Sequence, residues 1–130
     1  MTNDNHETYV TLQTAKLLSK AGYDWKCKIF YSKQGRIWSV DETDKYEDEL
    51  MCPTQTAVQK WLREKKNINI EIKILSITGG CLCWYFKLYK LDVCNGIYHS
   101  VNEIERVCTS SYSTYEEALE IAIQTALALE

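Results

Sequence analysis

The sequence predicts an α+β protein, with an antiparallel sheet of about four or five strands and about three helices mainly on one face of that sheet. The clearest support is a change of hydrophobic period. From Pro53 to about Lys66 the apolar residues recur at helical spacing, and from Ile68 onward isoleucines alternate with polar residues as in a strand. The loop after that strand is too short for a crossover connection, which favours antiparallel pairing with the next strand.

Length and charge limit the possible functions. The 130 residues fit one domain over residues 9–130, preceded by a flexible polar tail at residues 1–8. The formal net charge of −3 makes duplex DNA an unexpected partner, because binding DNA requires many contacts from Lys and Arg to phosphates. The N-terminus does not have the pattern of a signal peptide, and no apolar run approaches the ~20 residues of a membrane span. We therefore expect a cytoplasmic protein without a membrane partner.

The first third of the chain predicts a helix and a hairpin. Thr11 is placed to cap a helix over residues 12–21, and Gly22 stands where that helix should end. Residues 25–31 and 36–40 then alternate as strands do, on either side of a short turn containing a glycine.

The middle of the chain predicts a helix followed by a second hairpin. The strongly acidic residues 41–49 form a solvated loop in this interpretation. Pro53 or Thr54 then begins the helix. Residues 68–75 and 82–89 are the two alternating strands, with all four isoleucines of the first strand on one buried face.

The last third is less regular until its final helix. Residues 93–99 and 105–109 are interpreted as short strands. Thr114 and Glu117 have the spacing of a capping box, and Ser113 and Glu116 offer a second register for it. Either register predicts a helix from there to about residue 129. The predicted buried side of this helix comprises Tyr115, Ala118, Leu119, Ala122, Ala126 and Leu129.

Aromatic residues on the second hairpin supply the first candidate contact surface. On the strand over residues 82–89, Trp84 and Phe86 share the face expected to be buried. Alternation then directs Tyr85, Lys87 and Tyr89 outward. Because tyrosine is enriched at interfaces, this face is a candidate site for a protein partner. Tyrosines with a nearby lysine on a sheet can also stack bases, so single-stranded nucleic acid is an alternative ligand.

A second alternative is a module that binds or sequesters a nucleotide-type small ligand. The side chains of the first hairpin that can stack on a base or pair with a phosphate are Trp25, Tyr31, Arg36 and Trp38.

Metal binding and catalysis receive little support. The candidate metal ligands do not have the spacing of a zinc knuckle, and the Cys-x-Cys pair would place its sulfurs about 7 Å apart on a strand. Buried or half-buried reduced thiols, with no metal and no other cofactor, are the simpler interpretation. The only imidazoles are two isolated histidines, so we expect a protein that is not an enzyme. The weak metal candidates are Cys81, Cys83, Cys94, Cys108 and His99.

Three segments carry a resemblance to a known group. Residues 9–24, 52–72 and 112–120 resemble a group of small uncharacterised proteins carried by phages and mobile elements of gut Bacteroidetes. The group has no assigned activity, so the resemblance implies no site residue. It implies an accessory protein acting in the cytoplasm of a bacterial host cell.

These observations lead to one working hypothesis. The protein is expected to be a non-enzymatic phage or mobile-element accessory protein that binds a host protein or forms a homo-oligomer. Its two candidate contact surfaces are the acidic residues 41–49 and the strand face that carries Tyr85 and Tyr89.

Overall fold

The computed structural model describes residues 7–25, 27, 29–32, 35–39, 50–76, 82–104 and 111–129. This part of the chain contains three helices and six strands, which confirms the predicted α+β class. In chain order the elements are α1 (Leu12–Ala21), β1 (Ile29–Tyr31), β2 (Ile37–Ser39), β3 (Leu50–Met51), α2 (Gln55–Lys65), β4 (Ile68–Ser76), β5 (Leu82–Cys94), β6 (Ile97–Glu103) and α3 (Tyr115–Ala128).

The six described strands form two antiparallel sheets of three strands, whereas the sequence predicted one sheet. Their orders are β2-β1-β3 and β4-β5-β6. The small sheet contains the predicted first hairpin, and β3 pairs with the other edge of β1. In the described residues, the strands of this sheet are two or three residues long.

Each helix begins at a hydroxyl side chain that the sequence predicted as a cap. Thr11 and Thr54 each accept a hydrogen bond from the first turn of their helix, which resolves the choice between Pro53 and Thr54. Gly22 ends α1 with a φ of 87°, a left-handed conformation that glycine adopts readily. At α3 the Glu117 amide donates to the Thr114 hydroxyl over 3.0 Å. The Glu117 carboxylate accepts from the Ser113 amide over 2.9 Å, one residue before the N-cap amide that a capping box uses.

The long β4–β5 pair shows the predicted alternation, but the residues on its covered face become more exposed toward the end of β4. Ile70 lies opposite Leu88 and Ile72 lies opposite Phe86, and the covered face is buried here beneath α2 and α3. The prediction that all four isoleucines are buried is wrong for Ile74, which is 56% exposed. The helices cover only the first half of β4, so the apolar pattern continues beyond the layer that buries it.

The region after residue 90 differs from the prediction. β5 continues to Cys94, and Asn95 and Gly96 turn the chain with φ values of 54° and 78° before β6 returns. The predicted strand over 93–99 is therefore wrong, because a tight turn lies inside it. Asparagine followed by glycine favours this kind of turn, since both positions require positive φ. The predicted strand over 105–109 and the acidic segment 41–49 lie outside the described residues.

The core lies between the helices and the covered face of the β4–β5–β6 sheet. α3 contacts α1, α2, β4 and β5, and α1 contacts β3. Within α3 the predicted buried side is confirmed except at its ends, where Tyr115 and Leu129 are exposed. Tyr115 packs edge-on against Trp84, with ring centroids 5.5 Å apart.

Candidate functional site

The face of the β4–β5–β6 sheet that points away from the helices is the main candidate surface, and we call it the open face. Strand alternation and the observed register place its residues together. In the part of the chain that the structure describes, no helix packs on this face, so its side chains remain half-buried or exposed. Its members are Asn69, Glu71, Lys73, Leu75, Cys83, Tyr85, Lys87, Tyr89, Leu91, Val93, Tyr98, Val101 and Glu103.

Tyr85, Lys87 and Tyr89 lie on the open face as the sequence predicted, and the structure adds their neighbours. Lys87 is opposite Glu71, and Tyr85 is opposite Lys73. The Tyr89 hydroxyl donates a hydrogen bond to Oε1 of Glu71 over 2.9 Å. That bond stabilises the neutral phenol and raises the pKa of Tyr89.

The charged groups of the open face are paired with one another. Nζ of Lys73 lies 3.6 Å from Oε1 of Glu71, and Nζ of Lys87 lies 3.6 Å from Oε2 of Glu103. Two lysines and two glutamates therefore leave the described open face without net charge. This arrangement favours a partner that brings apolar and hydrogen-bonding groups, because both lysines already face carboxylates rather than standing ready for phosphates.

Apolar side chains complete the open face near its two ends. Leu75 is exposed at one end, and Val93, Tyr98 and Val101 are exposed at the other, on the β5–β6 hairpin. Val93 pairs with Tyr98, and Leu91 pairs with Val101, so these residues form a continuous apolar patch. Exposed tyrosines and apolar side chains are typical of the centres of protein contact surfaces, whereas lysine and glutamate are more typical of their rims.

The first hairpin does not bring its candidate side chains to one exposed surface. Tyr31 is only 7% exposed, and its hydroxyl donates to the carbonyl of Val10 over 2.7 Å. Burial also raises the pKa of this phenol. Arg36 is exposed, and the backbone of Trp38 pairs with Phe30. The expectation that Tyr31 stacks on a ligand is therefore corrected, since its ring fills the core.

The weak metal candidates are widely separated where they are described. Cys83 and Cys94 occur on the same strand, eleven residues apart, which corresponds to about 36 Å along an extended strand. These two sulfurs cannot share an ion. The backbone of His99 lies in β6, and Cys81 and Cys108 lie outside the described residues. Within the described ranges, no group of three or more metal-ligating side chains is present.

Sequence reasoning missed a buried carboxylate at the junction of the three helices. Glu120 of α3 is 8% exposed, and its Oε2 accepts hydrogen bonds from the backbone amide and the hydroxyl of Thr11 over 2.9 and 3.0 Å. The Thr14 hydroxyl donates to the same oxygen, and the Gln55 amide donates to Oε1 over 2.9 Å. These donors surround the first turns of α1 and α2, where helix dipoles favour a negative charge. Glu120 therefore joins three helices.

An open pocket of about 280 Å³ lies beside Glu120. Thr8, Tyr9 and Gln55 form one side of it, and Glu116 and Glu117 lie on the α3 side. The carboxylate of Glu120 accepts four hydrogen bonds from neutral donors, so its arrangement stabilises the fold. The signal in the sequence was a single glutamate next to Leu119 in the apolar side of α3, but its partners are distant in the chain.

Comparisons with protein-family models, curated proteins and solved structures find no significant match to this chain. Of the helices that the structure describes, none combines the length and apolar character needed to cross a membrane. The open face is therefore the feature of the described structure that bears on function.

Proposed function

We propose that the protein is a non-enzymatic accessory protein of a phage or mobile element, and that it binds a host protein through the open face. The observation that carries this proposal is the uncovered sheet face itself, where exposed apolar side chains surround charges paired with each other. The resemblance of residues 9–24, 52–72 and 112–120 supports the phage or mobile-element context and the cytoplasm of a bacterial host cell.

The described polar groups support a binding role more than a catalytic one. Glu120, the most buried of the described carboxylates, accepts four hydrogen bonds and lies in a structural junction. The buried Cys52 thiol donates to the Val10 carbonyl over 3.6 Å, and burial raises its pKa to about 11. A thiol with such a pKa is a poor nucleophile near neutral pH, since the thiolate is the reactive form.

The test is capture of a partner from a lysate of gut Bacteroidetes cells by three immobilised proteins. The first is the wild type, and the second carries Tyr85→Ala and Tyr89→Ala on the open face. The control carries Lys60→Ala and Glu64→Ala, an exposed ion pair on the outer side of α2. The partner is identified by mass spectrometry, and its binding is then measured with purified proteins.

We expect the wild type and the control to retain the same partner, and the open-face variant to bind it at least about tenfold more weakly, because large aromatic groups often dominate interface energy. Equal binding by all three proteins would show that the interface lies outside the open face. Failure of the wild type to retain any partner would contradict the proposed function.

A further inference from the structure

The outer edge of β6 is unpaired in the described structure. β6 is the last strand in the order β4-β5-β6, and no described residue forms a backbone pair with its outer side. An edge of this kind presents free N–H and C=O groups to which another strand can bind. The other edge, formed by β4, differs because the Gln59 side chain donates to the carbonyl of Ile70 over 3.3 Å and α2 packs beside it.

The sequence of β6 contains neither of two residue types that commonly protect an edge strand. Its seven residues contain no lysine and no proline, both of which prevent edge-to-edge pairing in natural sheets. Ile97, Tyr98 and Val101 are 68%, 56% and 57% exposed, which is a large apolar content for a free edge.

A bulge in β6 decides which of these side chains lie together. Ser100 pairs with Asp92, and Tyr98 pairs with Val93, so His99 is an extra residue in β6. Without that extra residue, Tyr98 and Val101 would point to opposite faces of the sheet. With it, both lie on the open face.

We infer that β6 pairs in antiparallel fashion with β6 of a second copy of this chain, so that the two sheets join into one of six strands. A two-fold axis between His99 and Ser100 places Tyr98 opposite Val101 of the second copy, and the symmetry repeats that pair. Aromatic and β-branched residues are a favourable cross-strand pair. Because the same segment serves both partners, the assembly closes as a dimer.

Charge does not oppose a second copy as the occupant. The only acidic residue of β6 is Glu103, which already faces Lys87 of its own chain at 3.6 Å, and β6 contains no Lys or Arg. Two copies can therefore meet along this edge without strong repulsion, although each chain has a net charge of −3. This inference goes beyond the proposed function, since it concerns the edge of the sheet, and it would join two open faces into one larger surface.

The experiment measures the mass of the full 130-residue chain by sedimentation velocity over a range of concentrations. We expect a dimer of twice the 15.1 kDa chain mass. Val101→Lys and Tyr98→Lys should each weaken self-association by at least about tenfold, because they introduce like charges at the dimer axis. Ile74→Lys is the matched control, since Ile74 is 56% exposed at the distant end of the sheet, and it should leave the dimer unchanged.

Hydrogen exchange of the wild type gives a second measurement that needs no variant. Backbone amides of residues 97–103 should become more protected as the protein concentration rises, and the exposed turn at Asn95 should not. A monomer up to the highest soluble concentration would overturn the inference. So would a dimer that Val101→Lys leaves intact, or one that Ile74→Lys dissociates equally.

The two proposals fail in different ways. A monomeric wild type that still captures a host protein through the open face overturns the dimer alone. A dimer that captures no host protein supports this inference and contradicts the proposed function.

Discussion

The two faces of β5 share one backbone and have opposite roles. Phe86 and Leu88 point under the helices and are almost fully buried, whereas Tyr85, Lys87 and Tyr89 alternate with them on the open face. The buried face is fixed by packing against α3, and a change of size there disturbs the fold. The open face has no such constraint in the described structure. The amino-acid pattern of one strand can therefore specify the fold on one side and leave the other side available for recognition.

The largest expected effect separates the two faces directly. Phe86→Ala removes a ring that is 1% exposed, and we expect it to lower the free energy of unfolding by about 3–5 kcal/mol through lost burial and the resulting cavity. Tyr85→Ala is the matched control from the next position of the strand, and its cost should stay near ~1 kcal/mol. Urea unfolding followed by circular dichroism measures both. Similar losses for the two variants would mean that the open face is also covered.

A smaller effect is expected for the buried polar junction on the helix side. Glu120→Ala leaves the donors of Thr11, Thr14 and Gln55 without their acceptor, which should cost about 2–3 kcal/mol. Glu116→Ala, one turn earlier on the exposed side of α3, should change stability by less than ~0.5 kcal/mol. The same unfolding experiment compares them. If the two variants lose equally little free energy of unfolding, Glu120 does not hold the three helices together.

The smallest effect is a dependence of stability on pH that comes from the buried side. Burial raises the pKa of Cys52 from 9.0 to about 11, so folding favours the protonated thiol. Its contribution is fully present below pH 9 and is lost as the pH rises toward 11. Between pH 8 and pH 10 this should lower the free energy of unfolding by roughly 1 kcal/mol.

Cys52→Ala provides the control for that prediction. The variant should be less stable at every pH because it loses a buried side chain, but its stability should fall less between pH 8 and pH 10. Tyr23, whose pKa burial raises to about 12, remains in both proteins, so its effect cancels in the difference. If the free energy of unfolding falls equally in the two proteins between pH 8 and pH 10, the Cys52 thiol does not contribute to the loss of stability at alkaline pH.

Local signals in the sequence predicted much of the fold. Thr11, Gly22, Thr54 and Thr114 act at helix ends through bonds to residues three or four positions away, so the sequence alone was sufficient. The alternation of β4 and β5 was also sufficient for their pairing and for the outward direction of Tyr85. The turn at residues 95–96 is another local signal, but the apolar residues on both sides of it favour one continuous strand in the sequence.

Features that depend on distant contacts could not be predicted. The exposure of Ile74 depends on how far the helices extend over the sheet, and the period of β4 contains no such information. The burial of Tyr31 likewise depends on Val10 accepting its hydroxyl, and these residues lie on different elements. The open face was therefore predictable in its side-chain direction but not in its charge pairing, which requires the register between β4, β5 and β6.

The position of Glu120 in the chain affects how the protein folds during synthesis. The carboxylate that organises the first turn of α1 is 109 residues later than Thr11, and 65 residues later than Gln55. On the ribosome, α1 and α2 emerge well before α3 and have no acceptor for these donors. We therefore expect the nascent chain to keep its first helix undocked until the last helix leaves the exit tunnel, after which the three helices assemble together.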